Sequence, residues 1–162
     1  TSRPSSAGGG PVCPALDGRD VQYNAQNGHC YWMETSTWNA RWSERGKTCQ
    51  DLGGYLASIT SAEENEFVRK LHQGEVWVGG TDGNNAGDKN VGEYTWVSGE
   101  PFAYKAWVVG EPNGAEANGL SCPFGVLKCY EHCLEQRGDG LWNDSICHAT
   151  NDAVCELEPG TP

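Results

Sequence analysis

Apolar and polar residues alternate with a helical period in two short segments of the first half of the chain. The first segment covers residues 43–52, and Gly53-Gly54 follows it as a stop signal for a helix. The second begins at Ser61-Ala62-Glu63-Glu64, a capping box in which the serine oxygen and the Glu64 carboxylate satisfy free amides of the first turn. Its apolar face consists of Phe67, Val68 and Leu71. The pattern therefore predicts two helices.

After Gly74 the pattern changes to short apolar runs that are typical of strands. They are residues 76–78, residues 94–97, a run near Leu141-Trp142 and residues 153–155. Long stretches rich in glycine and asparagine separate them between about residues 79 and 140. Loops of that length inside a compact domain are usually functional. We therefore expect an α+β fold with a site built from these loops.

The eight cysteines indicate a disulfide-stapled domain from an oxidising compartment, and thus a secreted or extracellular protein. No CxxC pair has zinc-finger spacing, and eight cysteines allow 105 pairings, so composition alone does not choose among them. The balance of 11 basic and 22 acidic residues gives a net charge of −11. A chain this acidic, without a cluster of Lys and Arg, is a poor partner for nucleic acid or for an anionic membrane.

The domain organisation follows from composition. Residues 1–12 are mostly Ser, Gly and Pro, and we expect a flexible N-terminal tail there. Residues 13–158 show no repeat and no second shift in composition, so we expect one domain, followed by a C-terminal tail at residues 159–162. No apolar run is long enough to span a membrane, so membrane insertion is not expected.

Three short motifs in the second half carry oxygen ligands. Glu111-Pro112-Asn113 comes first, Glu131-His132-Cys133 follows, and Trp142-Asn143-Asp144 stands close before Cys147. Together they offer three carboxylates and two amides, all of which are hard oxygen donors. Calcium takes six to eight such oxygens, whereas zinc prefers His or Cys. The motifs therefore predict a calcium site.

The order of the motifs resembles one known family. The matching segments are Cys30-Tyr31, Trp38, Trp42 to Cys49, Leu52 to Ile59, Trp77 to Gly80, Tyr94-Thr95-Trp96, Gly99-Glu100-Pro101, residues 107–113 and Trp142-Asn143-Asp144. Each segment alone is a weak signal, but all of them in order, between cysteines at both ends, are highly specific. The chain resembles a C-type lectin-like domain of the long form, of the calcium-dependent carbohydrate-binding type, over nearly its whole ordered length.

The resemblance implies a mechanism of sugar binding. One Ca²⁺ would be bound by the side chains of Glu111, Asn113, Glu131, Asn143 and Asp144, with the Asp144 carbonyl as a further ligand. Two adjacent sugar hydroxyls would complete eight ligands. The sugar-binding residues would be Glu111, Asn113, Glu131 and Asn143. In the family a cis bond precedes the proline of this motif, and the Glu-Pro-Asn order accompanies mannose, fucose or N-acetylglucosamine, whereas Gln-Pro-Asp accompanies galactose.

The resemblance also implies the disulfide pairing. Cys49–Cys155 and Cys133–Cys147 match the two core bridges of the family. Cys13–Cys30 resembles the additional bridge of the long form, which joins an N-terminal hairpin. The remaining pair, Cys122–Cys129, would then close a small loop.

The chain departs from the family pattern in two places. The segment 114–130 is longer than usual, so Glu116 is an alternative to Glu131 as the third acidic ligand, and the insertion could impose galactose-type specificity. Its aromatic residues Phe124 and Tyr130 are candidates for extra sugar contacts or for packing. The auxiliary calcium site of the family keeps Asp82, but Val91 replaces an acidic ligand and Gly114 follows the Glu-Pro-Asn motif, so we expect one calcium ion.

The sequence is also compatible with other functions. Some members of the family bind a protein or a mineral surface instead of sugar, although they usually lose metal ligands. We expect no enzymatic activity, because carboxylates bound to calcium stay ionised and cannot act as a general acid. A single weak site per chain would need a homo-oligomer for avidity. The tryptophans are expected in the core, and the histidines at positions 29, 72, 132 and 148 are expected on the surface.

Overall fold

The computed structural model of the chain describes residues 12–35 and 40–159. The two expected tails and Trp38 therefore lie almost entirely outside the described residues. Within these residues the chain forms two helices, α1 (Trp42–Asp51) and α2 (Ala62–Arg69). It also forms ten strands: β1 (Gln22–Asn24), β2 (His29–Glu34), β3 (Tyr55–Leu56), β4 (Val76–Thr81), β5 (Thr95–Trp96), β6 (Glu116–Asn118), β7 (Lys128–Tyr130), β8 (Cys133–Gln136), β9 (Trp142–Ser145) and β10 (Asp152–Leu157).

Both predicted helices are present, with ends close to the predicted residues. Helix α1 is followed by Gly53 at a φ of 88°, and the Gly54 amide donates to the Cys49 carbonyl at 2.9 Å, so the glycine pair ends the helix. At the start of α2 the Ser61 hydroxyl accepts from the Glu64 amide at 3.1 Å, as predicted. In a capping box the Glu64 carboxylate would accept from the amide of Ser61. Here it accepts instead from the amide of Thr60, one residue earlier, at 2.7 Å.

Most strands join one sheet in the order β1-β2-β10-β4-β8-β9, with β3 paired to β10 and β5 paired to β4. The pairing of β10 with β4 is parallel, and the other pairings are antiparallel. The four predicted runs all contain strands. The pattern missed the other six strands. Among them, β2 has four buried residues of six and lacks the polar alternation of a half-exposed strand.

The core is rich in tryptophan, as expected. Trp32, Trp77 and Trp142 have no exposed surface, and Trp96 is 3% exposed. Trp142 is packed edge-on against Trp107, with ring centroids 5.7 Å apart, and its indole N–H donates to Asn65 Oδ1 at 2.8 Å. Replacing a buried tryptophan by alanine costs about 3–5 kcal/mol. The strand β9, which carries Asn143 and Asp144, is therefore held in place by the core itself.

Four disulfides staple the fold, and they are the four pairs that the resemblance implies. Cys49–Cys155 joins α1 to β10, Cys133–Cys147 joins the start of β8 to the loop after β9, and Cys13–Cys30 ties the N-terminal segment to β2. Cys122–Cys129 closes the insertion. Because Cys49–Cys155 joins residues 106 positions apart in the sequence, it constrains the whole domain.

The insertion forms a separate two-stranded hairpin of β6 and β7. Its disulfide is packed against Ile146, just after β9, so the hairpin rests on the body of the domain. Its tip exposes three large apolar side chains, Leu120, Phe124 and Leu127. In the residues that the structure describes, neither helix has the length and apolar character needed to cross a bilayer.

Candidate metal and ligand site

The backbone brings the three predicted motifs to one place. Strands β8 and β9 pair with Leu134 opposite Asp144, so Glu131, two residues before β8, stands near the far end of β9. The segment before Glu111 lies along the other side of β9, where Trp107 forms a bridge with Trp142 and the Val108 amide donates to the Trp142 carbonyl at 2.9 Å. Motifs that are up to 33 residues apart in sequence thus meet across β9.

Asp144 is the centre of the site. Its side chain is fully buried and accepts from the Asn113 amide at 3.2 Å and from the Gly114 amide at 2.7 Å. The Asn113 side chain in turn donates to Glu111 Oε1 at 2.8 Å. The peptide bond between Glu111 and Pro112 is cis. The carboxylate of Asp144 therefore folds the Glu-Pro-Asn loop around itself.

The two remaining predicted residues complete the cluster. Glu131 Oε2 accepts from the Ala115 amide at 3.2 Å. The Asn143 side chain donates to the Asp144 carbonyl at 2.5 Å and to Glu135 Oε1 at 3.1 Å. All five predicted ligands are thus linked to Asp144, or to the loop that wraps it, by short chains of hydrogen bonds.

The carboxylates of the cluster repel one another. Burial, followed by contact with Asp144, raises the pKa of Glu111. Burial, followed by the negative charge of Asp144, raises the pKa of Glu131 to about 7. The pKa of Tyr94 is also raised, first by burial and then by Asp144 and Asp82. Raised pKa values among acidic neighbours indicate negative charge that lacks compensation.

This cluster fits a hard cation. Glu111 Oε2 is buried and has no hydrogen-bond partner among the described residues, and the same is true of the Tyr94 hydroxyl. A buried carboxylate oxygen without a partner is costly unless an ion or a water satisfies it. The donor set consists of carboxylate, amide and carbonyl oxygens without a histidine or a cysteine, which suits Ca²⁺.

Glu116, the alternative third acidic ligand, stands elsewhere. It lies on β6 and forms an ion pair with Lys128 at 2.9 Å and accepts from the Tyr130 hydroxyl at 3.0 Å. The pKa of Glu116 is lowered, mainly by Lys128 and then by Tyr130. Its negative charge is therefore already balanced on the hairpin, whereas that of Glu131 is not. Tyr130 is engaged in this contact, and Phe124 is fully exposed at the hairpin tip.

Sequence reasoning missed one residue of the site. Glu135 is 8% exposed, and it accepts from the side chains of Asn143 and Asn151 at 3.1 and 3.0 Å. Burial raises its pKa. Glu135 and the Asp144 carbonyl therefore both accept from the side-chain nitrogen of Asn143 and fix its amide group. Its register opposite Asn143 in the β8–β9 pair could have been a signal, but only after the pairing was known.

The expectation that the four histidines lie on the surface is wrong for His132, which is 1% exposed. Its ring is bonded to Asp82, 50 residues earlier in the chain. His29, His72 and His148 are partly buried. His29 contacts the fully buried Glu156. The burial of His132 results from tertiary contacts with distant residues, so it could not be predicted from its neighbours in the sequence.

The comparisons with known proteins identify the class. A sequence model of the family described as "Lectin C-type domain" matches residues 39–157, so the chain belongs to the C-type lectin domain family. Asialoglycoprotein receptor 1 of Rattus norvegicus is 34% identical over 144 residues, which cover 86% of this chain and 45% of that protein. The type-2 ice-structuring protein of Hemitripterus americanus is 29% identical over 91% of this chain and 76% of its own length. The chain thus spans less than half of the first of these relatives.

Solved structures give the same fold. The carbohydrate-recognition domain of cow CD23, determined in the presence of a GlcNAc2Man3 oligosaccharide, superposes with a TM-score of 0.71 and 27% identity, covering 93% of this chain and 99% of that one. A calcium-independent type II antifreeze protein superposes with a TM-score of 0.69 and 28% identity, covering 91% and 95%. The α+β, C-type lectin-like fold predicted from the sequence is therefore confirmed.

Proposed function

We propose that this domain binds carbohydrate through a calcium ion held by Glu111, Asn113, Glu131, Asn143 and Asp144. The observation that carries the proposal is the buried, unpartnered oxygen of Glu111 beside two further carboxylates of the same cluster. Calcium would supply a centre that two adjacent sugar hydroxyls can coordinate. Binding at such a site needs no bond breaking, so we also propose that the domain is not an enzyme.

The residues of the site would give the sugar a defined orientation. Glu111 can only accept hydrogen bonds when it is ionised, whereas the side-chain amide of Asn113 donates. The two side chains already form such a donor–acceptor pair at 2.8 Å. We propose that this polarity selects sugars of the mannose, fucose and N-acetylglucosamine type. The ligand of the cow CD23 structure, GlcNAc2Man3, belongs to that class of glycan.

The proposal is tested by chelation and by reversing the polarity of the pair. The domain should bind immobilised mannose in calcium and elute with a chelator. The double variant Glu111→Gln with Asn113→Asp should lose at least tenfold in mannose affinity, and a galactose column should be run beside it. A matched control is Glu116→Gln, which makes the same Glu-to-Gln change outside the cluster. Unchanged mannose affinity in the double variant would show that the sugar does not bind here.

A second candidate function is binding of a surface, either ice or a protein, by the inserted hairpin. The side chains of Leu120, Phe124 and Leu127 are about fully exposed, and fully exposed large apolar side chains that cluster are typical of interaction surfaces. The likeness to an ice-structuring protein supports the same idea. Thermal hysteresis measured with and without a chelator distinguishes this function, because sugar binding predicts no effect on ice growth.

The proposal includes the location, the partners and the self-association of the protein. Four disulfides favour an extracellular location, where such bonds persist. Glycans are the proposed partners, and the net charge of −11 argues against nucleic acid. Single sugar sites bind weakly, so we propose that self-association provides avidity. Sedimentation of the domain with and without a multivalent glycan tests that point.

A further inference from the structure

A buried pair of side chains stands directly beside the proposed calcium residues. His132 follows Glu131, and its Nδ1 is 2.9 Å from the carboxylate of Asp82, while its Nε2 is 2.9 Å from the Asp88 carbonyl oxygen. The side chain of His132 is 1% exposed and that of Asp82 is fully buried. The ring therefore joins β8 to both ends of a turn in the loop of residues 82–92.

The carboxylate of Asp82 also organises the loop. It accepts from the Asn84 amide at 3.0 Å and from the Gly92 amide at 2.9 Å, so both arms of the loop close onto it. The Asn84 side chain adds a bond to the Asn90 carbonyl at 2.8 Å. With His132 as a third partner, the hydrogen-bonding capacity of Asp82 is used by the protein itself.

Every polar side-chain atom of the pair has a partner within the protein. The Asp88 carbonyl oxygen accepts from Nε2 of His132, and Nδ1 contacts the Asp82 carboxylate. Oδ1 of Asp82 accepts from the Asn84 amide, and Oδ2 accepts from the Gly92 amide. Buried polar groups that are all hydrogen-bonded need no further ligand. The pair therefore needs no metal ion to be buried.

The loop held by this pair supports the site at two points. A Cβ atom at Gly114 would stand 2.5 Å from Cγ2 of Val91, so the loop fills the space beside the residue whose amide bonds to Asp144. The Ala86 carbonyl accepts from the Tyr130 amide at 2.8 Å, and Ala86 packs against the disulfide of the hairpin. The loop is thus in contact with both the Glu-Pro-Asn turn and the insertion.

We infer that His132 and Asp82 form a metal-independent clasp that positions Glu131 and the rim of the site, in a protein whose proposed ligand-binding function depends on calcium. The clasp holds the 82–92 loop, and through it the hairpin, whether or not calcium is bound. Removal of calcium then relaxes only the cluster around Asp144. In the loop that the clasp holds, Val91 occupies the space that a side chain at position 114 would need.

Amide hydrogen exchange of the unmodified protein tests the first part. In chelator, exchange of residues 82–92 should stay within about twofold of its rate in calcium, whereas residues 111–115 should exchange at least tenfold faster. If residues 82–92 accelerate as much as residues 111–115, the loop is held by metal and the clasp is refuted. If calorimetry finds no calcium binding at all, the proposed function fails, while protection of the loop in metal-free buffer still supports the clasp.

The variant His132→Gln tests the positioning of Glu131, because glutamine retains one donor and is milder than alanine. We expect at least tenfold faster exchange in residues 82–92 in both conditions, and a calcium dissociation constant raised about three- to tenfold. His72→Gln is the matched control: His72 also bridges two partners, the Gly74 carbonyl at 2.9 Å and Gln136 Oε1 at 2.8 Å, outside the 82–92 loop. It should lower the melting temperature and leave calcium affinity and loop exchange unchanged. Unchanged exchange in His132→Gln, or an equal loss of calcium affinity in His72→Gln, would overturn the inference.

Discussion

Replacing Glu131 by glutamine should have opposite effects on stability with and without calcium. Burial and the charge of Asp144 raise the pKa of Glu131 from the usual 4.5 to about 7 in the folded protein. A carboxyl whose pKa is raised on folding stabilises the protein below its unfolded pKa, and that contribution is lost as the pH rises through the folded pKa. The calcium-free protein should therefore lose stability between about pH 4.5 and pH 7.

The size of the effect follows from the shift. A rise from 4.5 to about 7 corresponds to about 3 kcal/mol, since one pKa unit is worth about 1.4 kcal/mol. The side chain is only half-buried, and solvent screening reduces this to about 1–2 kcal/mol. Glutamine keeps the contact to the Ala115 amide but never ionises. At pH 8 in chelator, Glu131→Gln should thus melt about 3–6 °C above the unmodified protein.

Calcium should reverse that order. At a concentration of about 100 times its dissociation constant, a ligand bound only by the folded state adds about 2.7 kcal/mol. The unmodified protein gains this stabilisation, and Glu131→Gln, which lacks one acidic ligand, should gain much less. Thermal melts at pH 5 and pH 8, each with calcium or chelator, measure the whole comparison.

The control is Glu116→Gln, which removes an exposed carboxylate paired with Lys128. It should behave like the unmodified protein in all four conditions, within about 0.5 kcal/mol. The reasoning is refuted if Glu131→Gln is less stable than the unmodified protein in chelator at pH 8. It is equally refuted if the two variants respond to calcium in the same way.

Three further predictions concern other parts of the molecule. Replacing Cys122 and Cys129 by serine should alter sugar selectivity and accelerate amide hydrogen exchange in the hairpin. The melting temperature should fall by no more than a few degrees, because the bridge closes a short loop; loss of the whole fold would contradict this. Contact with Glu156 raises the pKa of His29, so the stability lost in His29→Gln should be largest below pH 6 and should shrink as the pH rises past the raised pKa; melts across pH check the sign. Glu135→Gln should weaken calcium binding about tenfold with little change in the melting temperature at pH 8, because the carboxylate that orients Asn143 loses its charge, and calorimetry would detect it.

Local features of the fold could be predicted from the sequence. The end of α1 at Gly53 and the cap of α2 at Ser61 depend on neighbouring residues. The Glu-Pro-Asn and Trp-Asn-Asp motifs are also local, and the side-chain chemistry of their residues indicates the kind of ion that they could bind. The ordered set of motifs identified the family and, with it, the fold and the four disulfide pairs. In each case the information is carried by short spacings along the chain, so it survives without knowledge of the contacts.

Other properties were decided by tertiary structure alone. The sequence alone does not distinguish Glu116 from Glu131 as the third acidic ligand. In the structure, an ion pair with Lys128 balances the charge of Glu116, whereas Glu131, just before β8, lies near Asp144. His132 is indistinguishable from a surface histidine until β8 and the 82–92 loop are placed together, because its partner is 50 residues away. Burial and charge neighbourhood are sums over contacts between distant segments. They determine which acidic residue lies among other carboxylates and which histidine is buried, and no local pattern in the chain records them.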